Sequence, residues 1–89
     1  MGGQFQSHAL ITIRKAIELE PDKLKIPKYL ELQGRIELSI GKIEMALDSF
    51  QRAKQIIRDN PKLFTSSEAF ELEKRIISAV NELNSRAET

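Results

Sequence analysis

Two apolar-periodic segments on either side of Gly41 constrain the fold of this chain more than any other feature of its sequence. Between residues 29 and 61, apolar side chains recur at steps of three and four residues, which is typical of helices with one buried face. The first segment carries Gly34 and the second carries Ala46 and Ala53, all small enough to let two helices cross at short distance. The pattern predicts an antiparallel helical hairpin that turns at Gly41.

This hairpin resembles a tetratricopeptide repeat, whose signature joins Trp-x2-Leu-Gly-x2-Tyr to Ala-x3-Phe-x2-Ala and a closing proline. The positions that align with this signature are Leu30, Gly34, Ile40, Gly41, Ala46, Phe50 and Ala53, and Pro61 closes the second helix. Three positions depart from the signature, because Leu30 replaces the Trp, Gln33 the Leu and Glu37 the Tyr. The proline also comes three residues late, which implies about one extra turn on the second helix.

The resemblance implies an all-α fold in which tetratricopeptide-like antiparallel helical hairpins stack in a short right-handed superhelical array. Four helices are predicted within a helical domain over residues 7–85, at about 8–20, 28–40, 42–58 and 66–85. The fourth is expected to be the C-terminal capping helix that such arrays need for solubility. A disordered leader is expected over residues 1–6, and a frayed tail over residues 86–89.

Residues with special backbone or capping properties set these predicted boundaries. Ser7 is a suitable N-cap for the first helix, and Pro27 suits the opening of the second, where a missing N–H costs nothing. Gly41 suits the left-handed position just after a helix end. Thr65 and Glu68 have the spacing of a capping box and predict the start of the fourth helix.

Two internal echoes indicate how the helices relate to one another. Ala9, Ile13 and Ala16 have the spacing of Ala46, Phe50 and Ala53, so the first helix resembles the second half of a repeat. Leu-Glu-Leu at residues 30–32 recurs as Phe-Glu-Leu 40 residues later, which relates the fourth helix to the second. In that alignment Lys74 replaces Gly34. The resemblance therefore implies one full repeat flanked by half-repeats.

About three repeats are usually needed for a stable array, and this chain has fewer. Either the chain is a segment of a longer array, or self-association supplies the missing layer. In both cases the first helix is expected to show an uncovered apolar stripe formed by Leu10, Ile13 and Ile17.

Residue composition gives little support to catalysis or to cofactor and metal binding. The chain has one histidine and no cysteine, and no Gly-rich phosphate loop is present. We therefore expect no enzyme activity, no cofactor and no metal site. Fourteen basic and thirteen acidic residues nearly balance, so no nucleic-acid partner is expected, and no apolar run is long enough to span a membrane. Lack of cysteine and of a secretory signal favours a cytoplasmic location.

Recognition of a protein or peptide partner is the function that remains. In tetratricopeptide arrays the first helix of each hairpin lines a concave groove, and the resemblance puts seven residues of this chain there. They are Lys28, Glu31, Arg35, Leu38, Ser39, Glu71 and Arg75. The alternative is an ordinary solvated helix face, with Glu31 and Arg35 as an i,i+4 ion pair.

Three further interpretations stay open at the level of sequence. The chain could be a homo-oligomerisation element that seals an apolar edge of its first helix against a second copy. It could also be a regulatory helical segment of a larger signalling or catalytic protein. The basic cluster of Lys23, Lys25 and Lys28 suits a phosphate or an acidic partner segment, although solvated lysines are the more common outcome.

Overall fold

A computed structural model describes the backbone of residues 2–87 and the side chains of residues 8–86. Within these residues the chain is all-α and contains four helices: α1 (Gly2–Leu19), α2 (Ile26–Ser39), α3 (Ile43–Asp59) and α4 (Ser67–Ala87). The predicted fold class is confirmed at this level, and each predicted helix has a counterpart.

The turn between α2 and α3 is built around a left-handed glycine, as predicted. Gly41 has a φ of 80°, a conformation that costs a residue without a Cβ very little. Its N–H donates to Leu38 O at 3.0 Å, and the N–H of Lys42 donates to Glu37 O at 2.8 Å. This pair of bonds is a Schellman motif, which satisfies carbonyls at the end of α2 and reverses the chain. Pro27 lies in the first turn of α2, also as predicted.

Two helix starts differ from the sequence predictions. The backbone is helical from Gly2, so α1 begins before Ser7, the predicted N-cap, and includes residues 2–6 of the predicted leader. No proline interrupts this stretch, and each added residue of an existing helix gains a hydrogen bond. At α4, Ser66 rather than Thr65 is the cap, because its Oγ accepts from the Ala69 N–H at 3.1 Å. Met1 and residues 88–89 lie outside the described residues.

Each helix packs against the next one along the chain, and the contact between α2 and α3 is the most extensive. The main hydrophobic core lies where α3 is held between α2 and α4. Its buried members are Leu30, Ala46, Phe50, Ala53, Ile57, Leu72, Ile76, Val80 and Leu83. Gly34 lies at the α2–α3 crossing, directly against the ring of Phe50. The predicted close approach of α2 and α3 is therefore present, and Gly34, one of the small residues on which the prediction was based, lies at the contact.

The first helix does not leave the predicted stripe uncovered. Leu10 and Ile13 are buried and Ile17 is half-buried, because α1 packs along α2 and covers them. Ala9 and Ala16, the other small residues of the first echo, are half-buried. The exposed large apolar residues of α1 are instead Ile11 and Leu19, at 63% and 71%.

The fourth helix is related to the second by a different register from the one predicted. Pro27, Leu30 and Gly34 are buried in α2, and the buried residues of α4 at the same spacing are Ala69, Leu72 and Ile76. The members of each pair are 42 residues apart, whereas the motifs that recur in the sequence are 40 residues apart. Ile76, rather than the exposed Lys74, therefore occupies the place of Gly34. The buried face decides which residues of the two helices correspond. The core contacts one stripe of each helix, whether or not the same residue types recur along the chain.

Within the described residues, no helix combines the length and the apolar character that crossing a bilayer requires.

Candidate partner-binding cleft

An open cleft of about 710 Å³ lies between the first turns of α2 and α4. One wall is formed by the α1–α2 linker and the start of α2, and the other by the α3–α4 loop and the start of α4. Its size lies within the range of roughly 300–1,000 Å³ that is usual for ligand pockets.

The linker wall of the cleft is basic and is held in place by short-range hydrogen bonds. Lys25 and Lys28 line it and are exposed. Asp22 Oδ1 accepts from the Leu24 N–H at 3.0 Å, which shapes the turn before them. Tyr29 Oη donates to Glu20 Oε1 at 3.1 Å and so joins the end of α1 to the start of α2.

The α4 wall is acidic, because Glu68 and Glu71 lie in its first two turns. The Ser66 cap fixes where this helix begins, and negative side chains are favoured near a helix N-terminus by the helix dipole. Apolar residues from both walls complete the lining. Leu72 and the half-buried Phe64 lie at the base, and Leu24 and Leu63 are exposed at the edge.

Arg75, also in the cleft lining, is held by a buried carboxylate of α2. Glu31 Oε2 accepts from Arg75 Nε at 3.0 Å, and Glu31 Oε1 accepts from Arg75 Nη2 at 3.4 Å. Arg35 Nη2 reaches the same carboxylate at 3.5 Å. The hydrogen bond to Glu31 and, next, the charge of Glu31 raise the pKa of Arg75 above its ordinary value. This guanidinium is therefore charged throughout the physiological range, and it joins α2 to α4.

The structure brings together only part of the predicted groove. Lys28, Glu71 and Arg75 line one cleft, although they come from two helices. Glu31 is buried behind Arg75 rather than facing a partner, and Arg35 is exposed beside it. Leu38 is half-buried against the hydrophobic core, and the hydroxyl of the exposed Ser39 donates to Ile36 O at 2.7 Å. Neither Leu38 nor Ser39 lines the cleft.

A buried polar network elsewhere was missed by the sequence analysis. The carboxylate of Glu37 is 1% exposed and accepts from Ser49 Oγ at 2.5 Å, and Ser49 in turn accepts from Gln33 Nε2 at 2.9 Å. Arg14 of α1 lies 3.6 Å from the second oxygen of Glu37. The network therefore links α1, α2 and α3. A signal was present, since Glu37 follows Gly34 by three residues and so belongs to the buried stripe of its helix.

The described residues contain no cluster of metal-ligating side chains. No group of three or more His, Cys, Asp or Glu side chains in this part of the chain is placed to hold a metal ion. Every fully buried polar side-chain atom there also has a hydrogen-bond partner.

Comparison with known proteins assigns the chain to no family: no family model, no curated protein sequence and no solved structure matches it. The tetratricopeptide resemblance therefore stays a prediction based on the motif residues.

Proposed function

We propose that this chain is a non-catalytic protein–protein interaction module that holds a segment of a partner in the cleft between α2 and α4. One observation carries the proposal: Lys28, Glu71 and Arg75 were selected from the sequence as partner-binding residues, and all three line the same open cleft. A cleft with an apolar base and a few convergent charged groups is the usual form of a recognition site.

The surroundings of the cleft support recognition on a preformed surface. The Asp22 turn, the Ser66 cap and the Glu31–Arg75 ion pair each hold one part of its wall. A wall that is ordered before binding loses less conformational entropy when the partner arrives, which leaves more of the contact energy as affinity. A tetratricopeptide-like arrangement belongs to the same proposal, and the sequential packing of the helices and the Gly34–Phe50 contact support it.

Self-association through α1 is a second candidate, supported by the exposure of Ile11 and Leu19. These residues are eight positions apart, which places them about 80° apart around the helix axis, within one broad face. The apolar stripe of Leu10, Ile13 and Ile17, which was first predicted to mediate self-association, is covered within one chain. A contact between two copies would therefore have to use the face that carries Ile11 and Leu19. Sedimentation equilibrium over a wide range of concentration decides between the candidates. A single mass of 10.2 kDa would eliminate self-association.

Selection of displayed peptides on the immobilised protein tests the proposed function. We compare the wild type with the double variant Lys28→Glu, Glu71→Lys, which alters two exposed cleft residues and leaves the net charge unchanged. The matched control is Lys15→Glu, Glu18→Lys, a similar exchange of exposed charges on α1. We expect the wild type and the control to enrich the same peptides and the cleft variant to lose them. Equal enrichment on all three proteins would reject the cleft as the binding site.

A further inference from the structure

The two walls of the cleft carry opposite charges that do not pair with each other. Lys25 and Lys28 lie on the linker wall, and Glu68 and Glu71 lie on the α4 wall. Among residues 8–86, no ion pair joins either lysine to either glutamate. All four side chains are exposed. Opposite charges thus line one open cleft without forming an ion pair, and a ligand can pair with both.

The remaining charged groups of the lining are already occupied within the chain. Asp22 accepts the backbone N–H of Leu24, and Arg75 donates twice to Glu31. Their charges remain, so each wall keeps one charge in excess: two lysines against Asp22 on the linker wall, and two glutamates against Arg75 on the α4 wall. Besides Glu31, Glu71 also lies close enough to Arg75 for its carboxylate to raise the pKa of that guanidinium. The cleft as a whole has no net excess of either sign. A uniformly anionic ligand, such as a nucleic-acid strand, would be attracted by one wall and repelled by the other.

Both walls of the cleft also contribute apolar residues. Leu24 and Leu63 are about half exposed at its edge, and Leu72 is buried at its base. An apolar side chain inserted here would remove its own surface and the two leucine edges from water. A binding segment therefore needs an apolar residue at its centre.

We infer that the cleft binds a short peptide segment with an apolar centre, a carboxylate on one side and a Lys or Arg on the other. The inference rests on the proposed function and specifies its partner. The carboxylate lies against Lys25 and Lys28, the cation lies against Glu68 and Glu71, and the apolar residue contacts Leu24 and Leu63. The charge order sets the direction of the bound segment, because the reversed segment meets like charges at both walls.

Three synthetic peptides with the same apolar centre test this inference by fluorescence anisotropy on the full chain at low ionic strength. The mixed peptide is Asp-Glu-Leu-Phe-Lys-Arg, the acidic peptide is Asp-Glu-Leu-Phe-Glu-Asp, and the basic peptide is Lys-Arg-Leu-Phe-Lys-Arg. We expect the mixed peptide to bind roughly tenfold more tightly than either of the others. Each exposed ion pair is weak, but in the acidic and basic peptides several attractive contacts with the walls become repulsive. Added salt should reduce the difference.

Single charge reversals then assign each end of the mixed peptide to its wall. Lys28→Glu should weaken the mixed peptide and strengthen the basic one, whereas Glu71→Lys should weaken the mixed peptide and strengthen the acidic one. The control Lys15→Glu, an exposed α1 residue away from the cleft, should leave all three affinities unchanged. Circular dichroism of each variant verifies that the helices are retained.

The possible results separate the inference from the proposed function. If the three peptides bind equally, the charge pattern is rejected, while peptide binding in the cleft stands. If the mixed peptide does not bind, or binds without regard to Lys28 and Glu71, the inference is also rejected. The display selection on the cleft double variant still decides the proposed function independently.

Discussion

Gly34 of α2 lies so close to the ring of Phe50 in α3 that a Cβ at position 34 would come within 2.7 Å of Cε1. A glycine inside a helix costs about 1 kcal/mol relative to alanine, so its presence there needs a compensating gain. The gain is the close packing of a buried aromatic ring against the α2 backbone. Phe50 is 1% exposed and has little room to move away.

Enlarging residue 34 should therefore destabilise the protein. We expect Gly34→Leu to lower the free energy of unfolding by about 1 to 3 kcal/mol through overpacking, measured by urea denaturation. A double-mutant cycle of Gly34→Ala with Phe50→Leu is the control, because a smaller side chain at position 50 should relieve part of the clash. Additive effects in that cycle would show that residues 34 and 50 are not in contact.

Truncating Phe50 tests the core itself. Phe50→Ala should cost about 3 to 5 kcal/mol, since the surrounding core can only partly fill the cavity. The matched control is Phe70→Ala, because Phe70 is 61% exposed and contacts Lys74 only through a cation–π interaction at 5.5 Å. We expect that control to change stability by less than about 1 kcal/mol. Thermal and urea denaturation measure both, and a similar loss in both variants would contradict the position of Phe50 in the core.

The α2–α3 hairpin could be predicted from sequence because its determinants are local. A stripe of apolar residues fixes which helix face is buried, the small residues mark the crossing, and Gly41 supplies the left-handed turn. The relation of α4 to α2 could not be read in the same way. The recurring residue types aligned Lys74 with Gly34. The rotation of α4 about its axis instead depends on which of its residues are buried against α3. The buried residue at this position is Ile76.

The charged residues of the candidate site were more predictable than its apolar ones, since the basic cluster of the linker already included Lys25. Lys28, Glu71 and Arg75 were found from the helical register, whereas Leu63 and Phe64 were not, because they lie in a loop whose path no periodicity reveals. Glu31 was predicted to face the groove from the register of the tetratricopeptide resemblance, with a solvated helix face as the alternative. Its burial depends on Arg75, which is 44 residues away in the chain.

The buried Ser49 hydroxyl should matter more to stability than an exposed one. Ser49→Ala removes the hydrogen bond donated to the Glu37 carboxylate and leaves that buried group with Arg14 as its remaining partner. We expect a loss of about 1 to 3 kcal/mol in the free energy of unfolding. The control is Ser39→Ala, where an exposed hydroxyl donates to a carbonyl of its own helix, and we expect a change within about 0.5 kcal/mol. Chemical denaturation of both variants checks this, and equal losses would refute a special role for the Glu37 network.

Two ion pairs of equal length allow the effect of burial on their strength to be measured. Arg75 Nε lies 3.0 Å from Glu31, whose side chain is 9% exposed, and Arg52 Nε lies 3.0 Å from Asp48, whose side chain is 62% exposed. Water screens the second pair more strongly, so its coupling energy in a double-mutant cycle should be no more than about 0.5 kcal/mol. The Glu31–Arg75 coupling should be larger, about 1 to 2 kcal/mol, and should decrease less when salt is added. In both cycles the arginine is replaced by methionine and the acidic residue by glutamine. The free energy of unfolding of each variant is measured by urea denaturation at low and high salt. Equal coupling energies with the same salt dependence would mean that Glu31 is as accessible to water as Asp48, and would remove the link between α2 and α4 on which the wall of the cleft depends.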